Sequence, residues 1–431
     1  VLLALAPLAL GIGATFAPPL FRYALALDGA FALFALVDAI AARGCPITVE
    51  RVVTPVLSVG RANPIRLHLA SSARRRLDVA VVDDRPAELS VDGLPGRAAL
   101  PPRGRATVTY HVRPHRRGQV QLGAHTVRFP SPLGLWQRQA RLPARDALKV
   151  YPDVTAVREY ELLARRSRES LLVRPVRLRG GENDFERLRE HRPDDEYRDI
   201  DWKATARRGR LIVREYQQEQ NQTLVCMLDC GRLMTAVSDG LAQLDHAINA
   251  VIMLAHVAAR GGDQLGLLAF DSQIRLYRAP QGGRRVTQRL AQAAYDLQPS
   301  LLESDFEGAF AHLAKRLRKR ALVVLFTQVI DDVSAQAVLR QIGVLGGRHL
   351  PLCVLLRDAE LDRLAEPPSG LGRGTVGDLY AGAAAAEAIA WRERLVRDLG
   401  NRGALVLHVA PSQATPAVIN RYLRIKAQRL L

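Results

Sequence analysis

At 431 residues the chain is too long for one small hydrophobic core, and two or three domains are expected. A hydrophobic share of 48% beside 24% charged residues excludes wholesale disorder. The formal net charge of +18 suits nucleic acid, anionic lipid or an acidic protein, but no basic cluster coincides with a nucleic-acid-binding motif. A solvated, arginine-rich surface is therefore the reading, with no nucleic acid expected as partner.

The run Val1 to Phe21 carries no charged side chain, and as a helix its 21 residues would cross about 30 Å of hydrocarbon. A second apolar run, Tyr23 to Ala42, is interrupted by Asp28 and Asp38, with Pro18, Pro19 and Arg22 between the two. Residues 1–43 thus read as a transmembrane helical hairpin seated in the lipid bilayer. A signal peptide shares the apolar stretch, but no basic segment precedes it. Arg43, Arg51 and Arg61 follow the second run, which places the soluble part on the cytoplasmic side of the inner (plasma) membrane.

From 44 to 152 the texture becomes short alternating runs between proline and glycine clusters: Ile47 to Val53, Ile65 to Leu69, Leu77 to Val82, Ala106 to Val112 and Gln119 to Phe129. That spacing predicts an antiparallel β-sandwich, immunoglobulin-like in size. His111, His115 and His125 have no acid or cysteine near them in sequence and read as edge or loop residues. Residues 153–222 form a linker, helical then basic from Thr155 to Arg179, followed by a densely charged stretch with Phe185, Leu188, Tyr197, Ile200 and Trp202 interleaved. Arg189, Arg198, Arg207 and Arg214 there are placed to pair with Asp194, Asp195, Asp201 and Glu215, over Trp202 and Tyr197 as buried anchors.

From 223 onward continuous apolar runs alternate with helical periodicity. The strands are Thr223–Leu228, Gln264–Phe270, Ala321–Phe326, Leu350–Leu356 and Ala404–Val409. Helices fall near 241–260, 284–295, 306–319, 334–345, 383–399 and 416–430, and Gly370 to Gly382 reads as a mobile loop. The pattern specifies a doubly wound α/β domain over 223–431, Rossmann-like, with its ligand edge at the carboxyl ends of the strands near Asp229, Asp271 and Thr327. Cys45, Cys226, Cys230 and Cys353 are too scattered for a disulfide framework, and Cys226 and Cys230 lack the companions of a zinc site.

The charged stretch supplies a resemblance. Phe185, Glu186, Leu188, Arg189 and Glu190, then Pro193 and Asp195, then Arg198, Ile200, Asp201 and Trp202, then Thr205, Ala206 and Arg207, then Leu211, Val213, Arg214 and Tyr216 resemble the signature of the DUF58 family. Arg117, Gly118, the Pro132 turn and the closing Asn420 to Lys426 run are similar to that family as well. The resemblance implies a von Willebrand factor A-like (vWA-like) domain and partnership with a MoxR-type AAA+ ATPase, and it implies no reaction.

Three chemistries can be weighed. A metal-ion-dependent adhesion site (MIDAS) of vWA domains needs Asp-x-Ser-x-Ser, a later hydroxyl and a carboxylate, because hard Mg²⁺ takes oxygen ligands. Here Asp229 is followed by Cys230, Gly231, Arg232 and Leu233, with Ser304 the candidate hydroxyl and Gln328 where the carboxylate belongs. The site is degenerate, no cofactor is expected, and Arg232 is a candidate cation in the place of the metal. Pro193 and Asp194 followed by Asp201, Trp202 and Lys203 match a Mg²⁺-dependent nuclease pattern, but seven positions separate the acids. The phosphate-binding GxxxxGK[ST] pattern is absent. What fits best is a non-enzymatic binding module: an adaptor or scaffold with Arg189, Asp195, Arg198, Asp201, Trp202, Arg207, Arg214 and Tyr216 at a partner or inter-domain surface.

Overall fold

The computed structural model describes residue 12 and residues 20–54, 56–153, 185–191, 197, 200–216, 222–283, 285–365, 376–428 and 430. The chain divides into two compact units, one of residues 1–57, 61–115 and 119–150, the other of 58–60, 116–118 and 151–431.

The first unit opens with α1 (Leu20–Ala41). Arg22 lies inside this helix and not in a turn, and the run before it falls outside the described residues. Phe21–Ala41 is long and apolar enough to cross a membrane, a property that a membrane anchor and a signal sequence share. Phe21, Leu25, Leu33, Phe34, Val37 and Ile40 are exposed, an apolar surface that water disfavours. Asp38 is buried and accepts hydrogen bonds from the Ser131 hydroxyl and from the backbone N–H groups of Leu133 (2.8 Å) and Leu135 (3.2 Å). Trp136 Nε1 donates to the Ala35 carbonyl (2.8 Å), so the last turns of the helix are tied to the turn at 131–136.

Beyond α1 the unit is β-rich. One antiparallel sheet has the order β1 (Ile47–Val52), β3 (Asn63–Ser71), β7 (Arg105–Pro114), β5 (Leu89–Asp92). A second has the order β10 (Gln137–Leu142), β9 (His125–Pro130), β4 (Leu77–Asp83), β6 (Gly96–Leu100). A third joins β2 (Val56–Ser58), β11 (Asp146–Tyr151) and β8 (Gly118–Leu122). Alternation decides which side is buried: Ile65, Leu67 and Leu69 point inward on β3, and Leu77, Val79 and Val81 on β4. The run expected as one strand from Gln119 to Phe129 is two, broken at Gly123 and Ala124. His125 is not an edge residue: it is buried, with Nδ1 2.8 Å from Asp83.

In the second unit β12 (Phe185–Glu190) pairs antiparallel with β13 (Ile212–Tyr216), and α2 (Trp202–Arg208) lies between them in sequence. Next comes a six-stranded sheet. Its order is β16 (Ile274–Gln281), β15 (Gln264–Phe270), β14 (Thr223–Asp229), β17 (Leu322–Thr327), β18 (Leu350–Leu356), β19 (Leu405–Val409). All neighbours are parallel except the edge pair β15 and β16. Successive residues of β14 face opposite cores. Leu224, Cys226 and Leu228 pack with α3 (Gln243–Arg260), α4 (Val286–Ala293) and α9 (Ala414–Ala427). Val225 and Met227 pack with α5 (Phe306–Arg316), α6 (Asp332–Gly346) and α8 (Val376–Asn401). Each such fully buried aliphatic side chain contributes roughly 1.5–3 kcal/mol. A short helix, α7 (Ala359–Ala365), follows β18. The stretch expected as a loop to Gly382 is helical from Val376; residues 366–375 fall outside the described set.

Candidate functional site

The central strand β14 runs one way to β15 and the other to β17, so the chain's direction of progress across the sheet reverses beside it. Crevices of this kind, at the carboxyl ends of the strands, are where open α/β sheets hold ligands. Asp229 ends β14 and Thr327 ends β17, one on each side of the crevice. Asp229 Oδ1 accepts hydrogen bonds from Gly231 N (2.8 Å) and the Ser304 hydroxyl, and Oδ2 accepts from Thr327 Oγ1 (2.6 Å). Gly231 is what allows this: a Cβ there would stand 2.1 Å from Ser304 Oγ. The hydroxyl missing from the motif after Asp229 is thus replaced from a different loop, in space a serine side chain would occupy.

Asp271, one strand over, accepts from Gln273 N (3.1 Å), Arg275 (2.8 Å) and Ser300 Oγ (3.0 Å). The two acids are driven apart. Burial pushes Asp229 above its ordinary value despite its hydrogen bonds, and the charge of Asp271 adds to the push. Burial also acts to raise Asp271, but the Gln273 N–H, Arg275 and Ser300 together hold it below the usual carboxylate range. Cys230 beside them is raised to about 12 by burial and by Asp229, so it is an inert thiol.

The two acids that follow Gln328 closely in sequence, Asp331 and Asp332, are employed elsewhere. Asp331 caps α6, accepting from Ser334 N (2.8 Å) and Ser334 Oγ (3.0 Å). Asp332 accepts from Trp391 Nε1 (2.7 Å). Arg232 does not stand in for a metal: its exposed guanidinium lies 3.5 Å from Glu303. The space beside Asp229 and Ser304 is about 30 Å³, room for little more than one water or bare ion. Among the described residues no group of three or more His, Cys, Asp or Glu side chains is placed to hold a metal. Sequence reading paired Asp229 with Ser304 and placed Thr327 at the same sheet edge, but did not name the direct Thr327–Asp229 bond, which follows from β14 and β17 being neighbours.

The signature stretch departs from expectation at its anchors. Trp202 is 65% exposed and Tyr197 is 77% exposed, so neither is a buried anchor. α2 holds without them: Asp201 accepts from Ala204 N (2.9 Å) at its start, and Gly209 closes it in the left-handed conformation (φ 64°). Thr205 Oγ1 then accepts from Ile212 N (3.0 Å), tying the helix to β13. Asp201 is therefore a helix cap and Lys203 an exposed helical residue, not members of adjacent strands as the nuclease pattern requires. Arg189 on β12 lies opposite Val213, and its Nη1 donates to the Glu190 carbonyl (3.1 Å). Glu190 pairs with Arg210 at 2.7 Å, a partner the sequence reading did not name. Arg207 is exposed in the last turn of α2. Arg214 and Tyr216 occupy β13 opposite Leu188 and Phe185, and Asp194, Asp195 and Arg198 lie outside the described residues. Trp202→Ala is expected to change stability by no more than about 0.5 kcal/mol, as for surface sites in general. Thermal melting checks this, and a loss of several kcal/mol would show the ring buried in solution.

The family described as "Protein of unknown function DUF58" matches residues 187–378. An uncharacterized protein of Bacillus subtilis (strain 168), YeaD, is 22% identical over 263 residues, which is 60% of this chain and 61% of that protein. The chain thus spans about three fifths of the length of this relative. Among solved structures, proximal thread matrix protein 1 from the mussel byssus is 10% identical over 47% of this chain and 46% of its own, with a TM-score of 0.31. A PapD-like domain of human CEP192 is 12% identical over 24% of this chain and 84% of its own, with a TM-score of 0.20. Overlaps this low assign no fold. The family match runs from the signature hairpin across most of the parallel sheet to the start of α8, so this part of the chain is similar to the DUF58 family.

Proposed function

We propose that this protein is a membrane-anchored interaction module, its second unit a vWA-like domain with a degenerate cation site and its N-terminal sheets an immunoglobulin-like sandwich. The parallel sheet with one antiparallel edge strand, and the acid and hydroxyls at its carboxyl edge, support the vWA-like reading. The observation that carries the function is the condition of Asp229. Its carboxylate is taken up by three internal donors, while Leu301 (80% exposed), Leu302, Ile330 and Val333 (81% exposed) stand open on the segments around it. Such an edge is built for apolar contact with a protein surface.

The family resemblance supplies the partner, a MoxR-type AAA+ ATPase, with this chain docking and presenting a client for assembly or remodelling and doing no covalent chemistry itself. The apolar helix at Phe21–Ala41 supports a membrane anchor, and the arginines that follow it are the reason to place the rest on the cytoplasmic side of the inner membrane. Co-purification from membranes tests the proposal: tagged chain is expected to retain the ATPase, and folded chain that retains none overturns it.

The carboxylate and hydroxyl cluster favours one second reading, metal-dependent ligand binding. With Asp229 already hydrogen-bonded internally, Mg²⁺ or Mn²⁺ is expected to leave the melting temperature unchanged. A metal-specific rise that disappears in Asp229→Ala would restore the adhesion-site reading.

A further inference from the structure

Beside the Asp229 cluster a separate cleft of about 510 Å³ opens between the end of β17, α7 and α8, within the usual size range of ligand sites, roughly 300–1,000 Å³. Arg232, Gln328, Asp358, Leu361, Trp391 and Arg392 line it. Arg392 is 6% exposed, and among the described residues its guanidinium has neither a hydrogen bond nor an ion pair. Two acids act on it from a distance, Asp358 and Asp362, and both are engaged. Asp358 caps Glu360 N (2.9 Å), and Asp362 is paired with Arg357 at 2.7 Å. Burial draws Arg392 below its ordinary value, and burial with the charges of Arg392 and Arg357 takes nearby His408 down to about 4. His408 is therefore neutral and does not add to the positive charge.

Gln328 is 4% exposed, and its Oε1 has no donor among the described residues. The lining of the cleft thus offers a guanidinium with no hydrogen bond and an amide oxygen with no donor among the described residues. The same lining offers Leu361 and the ring of Trp391, held in place by its bond to Asp332. A buried guanidinium whose neighbouring acids are engaged elsewhere keeps a desolvation cost that a directly hydrogen-bonded anion would offset. A ligand that satisfies this lining must bring a planar anion for the guanidinium fork, an N–H for Gln328 and apolar bulk for Trp391. An inorganic anion brings only the first. A carboxylate on a peptide brings all three.

We propose that the cleft bounded by Arg392, Gln328 and Trp391 receives an acidic residue from a peptide segment of a partner protein. This rests on the reading of the sheet edge as a protein-docking surface, and it names the chemistry that surface selects.

The test uses the full chain in detergent micelles, labelled with 5-fluorotryptophan at its three tryptophans, with Trp391→Phe identifying the resonance. The probe is acetyl-Ala-Leu-Glu-Leu-Ala-amide, against the same peptide with Gln for Glu, sodium acetate and inorganic phosphate. The Glu peptide is expected to shift the Trp391 resonance saturably, and the Gln peptide, acetate and phosphate to bind at least roughly tenfold more weakly, a loss of about 1.4 kcal/mol. Arg392→Met is expected to lose binding by at least the same factor while melting at a higher temperature than the parent. Gln328→Leu serves as a second variant, expected to weaken the peptide and not acetate. Equal binding of the Glu and Gln peptides, phosphate as strong as the Glu peptide, undiminished binding by Arg392→Met, or no shift at all would each overturn the proposal. Failure here with the ATPase still co-purifying sinks the cleft alone, whereas loss of co-purification by the parent chain sinks the docking reading itself.

Discussion

Asp83→Ala is expected to destabilise the N-terminal unit by about 3–5 kcal/mol, the cost of breaking a buried charge network by removing one partner. Asp83 ends β4 almost wholly out of solvent and gathers four donors from three side chains. Arg51 donates through Nε (3.0 Å) and Nη2, Tyr110 through its hydroxyl, and His125 stands at 2.8 Å. Without the carboxylate, the equally buried Arg51 is left with Asp146 and the Gly123 carbonyl. The network also sets a pH dependence. Burial acts to raise Asp83, but the hydrogen bonds from His125, Arg51 and Tyr110 and the charge of Arg51 hold it below the usual carboxylate range. A group depressed in the folded state stabilises the fold above its unfolded value, about 3.9 for Asp, and that stability is lost as pH falls through the folded value. Melting followed at Trp136, in the same unit, is expected to fall in acid for the parent and to lose this part of its acid dependence in Asp83→Asn. An Asp83→Ala variant that melts like the parent would mean the network is not formed in solution.

The five parallel strands were legible in the sequence because burial on both faces forces continuous apolar runs such as Leu224 to Leu228 and Leu352 to Leu356. The edge strand β16 was not, since Ile274 to Gln281 mixes Arg275, Arg278, Pro280 and Gln281 among its apolar residues and pairs on one side only. Composition was least reliable at α2. A tryptophan among charges suggested an anchor, whereas two caps and one side-chain bond to β13 fix the helix and leave the ring outside. The candidate site was half visible. Asp229 stood out at the end of an apolar strand, but Thr327 is 98 residues away and Ser304 is 75, and only sheet order brings them to one carboxylate. Arg392 gave no signal at all, because an arginine in a helix is ordinarily a solvated one.

The same dependence on distant pieces makes Arg117→Met the second large expected effect, a loss of about 3–5 kcal/mol from the unit that contains the parallel sheet. Arg117 is buried, and its Nε donates to Asp245 in the first turn of α3. Its terminal nitrogens donate to the carbonyls of Ala294 and Leu297, and Gln298 Nε2 donates in return to the Arg117 carbonyl (3.1 Å). Methionine fills much of the volume but leaves Asp245 buried without its cation and removes one donor each from the Ala294 and Leu297 carbonyls, of which Ala294 keeps the Leu297 N–H (3.3 Å). The consequence reaches the site through the chain itself. The segment pinned at 294–298 continues into Ser300, which binds Asp271, and Ser304, which binds Asp229. Arg117→Met is thus expected to lower the melting temperature and to raise hydrogen exchange at 298–305 more than at β18, where the sheet is held by its own neighbours. Asp245→Asn, which keeps one acceptor oxygen for Arg117, should recover part of both losses relative to Asp245→Ala. Uniform exchange across the unit would reduce Arg117 to a general stabiliser, whereas exchange concentrated at the serine-bearing loop would make it the residue that positions the hydroxyls around Asp229.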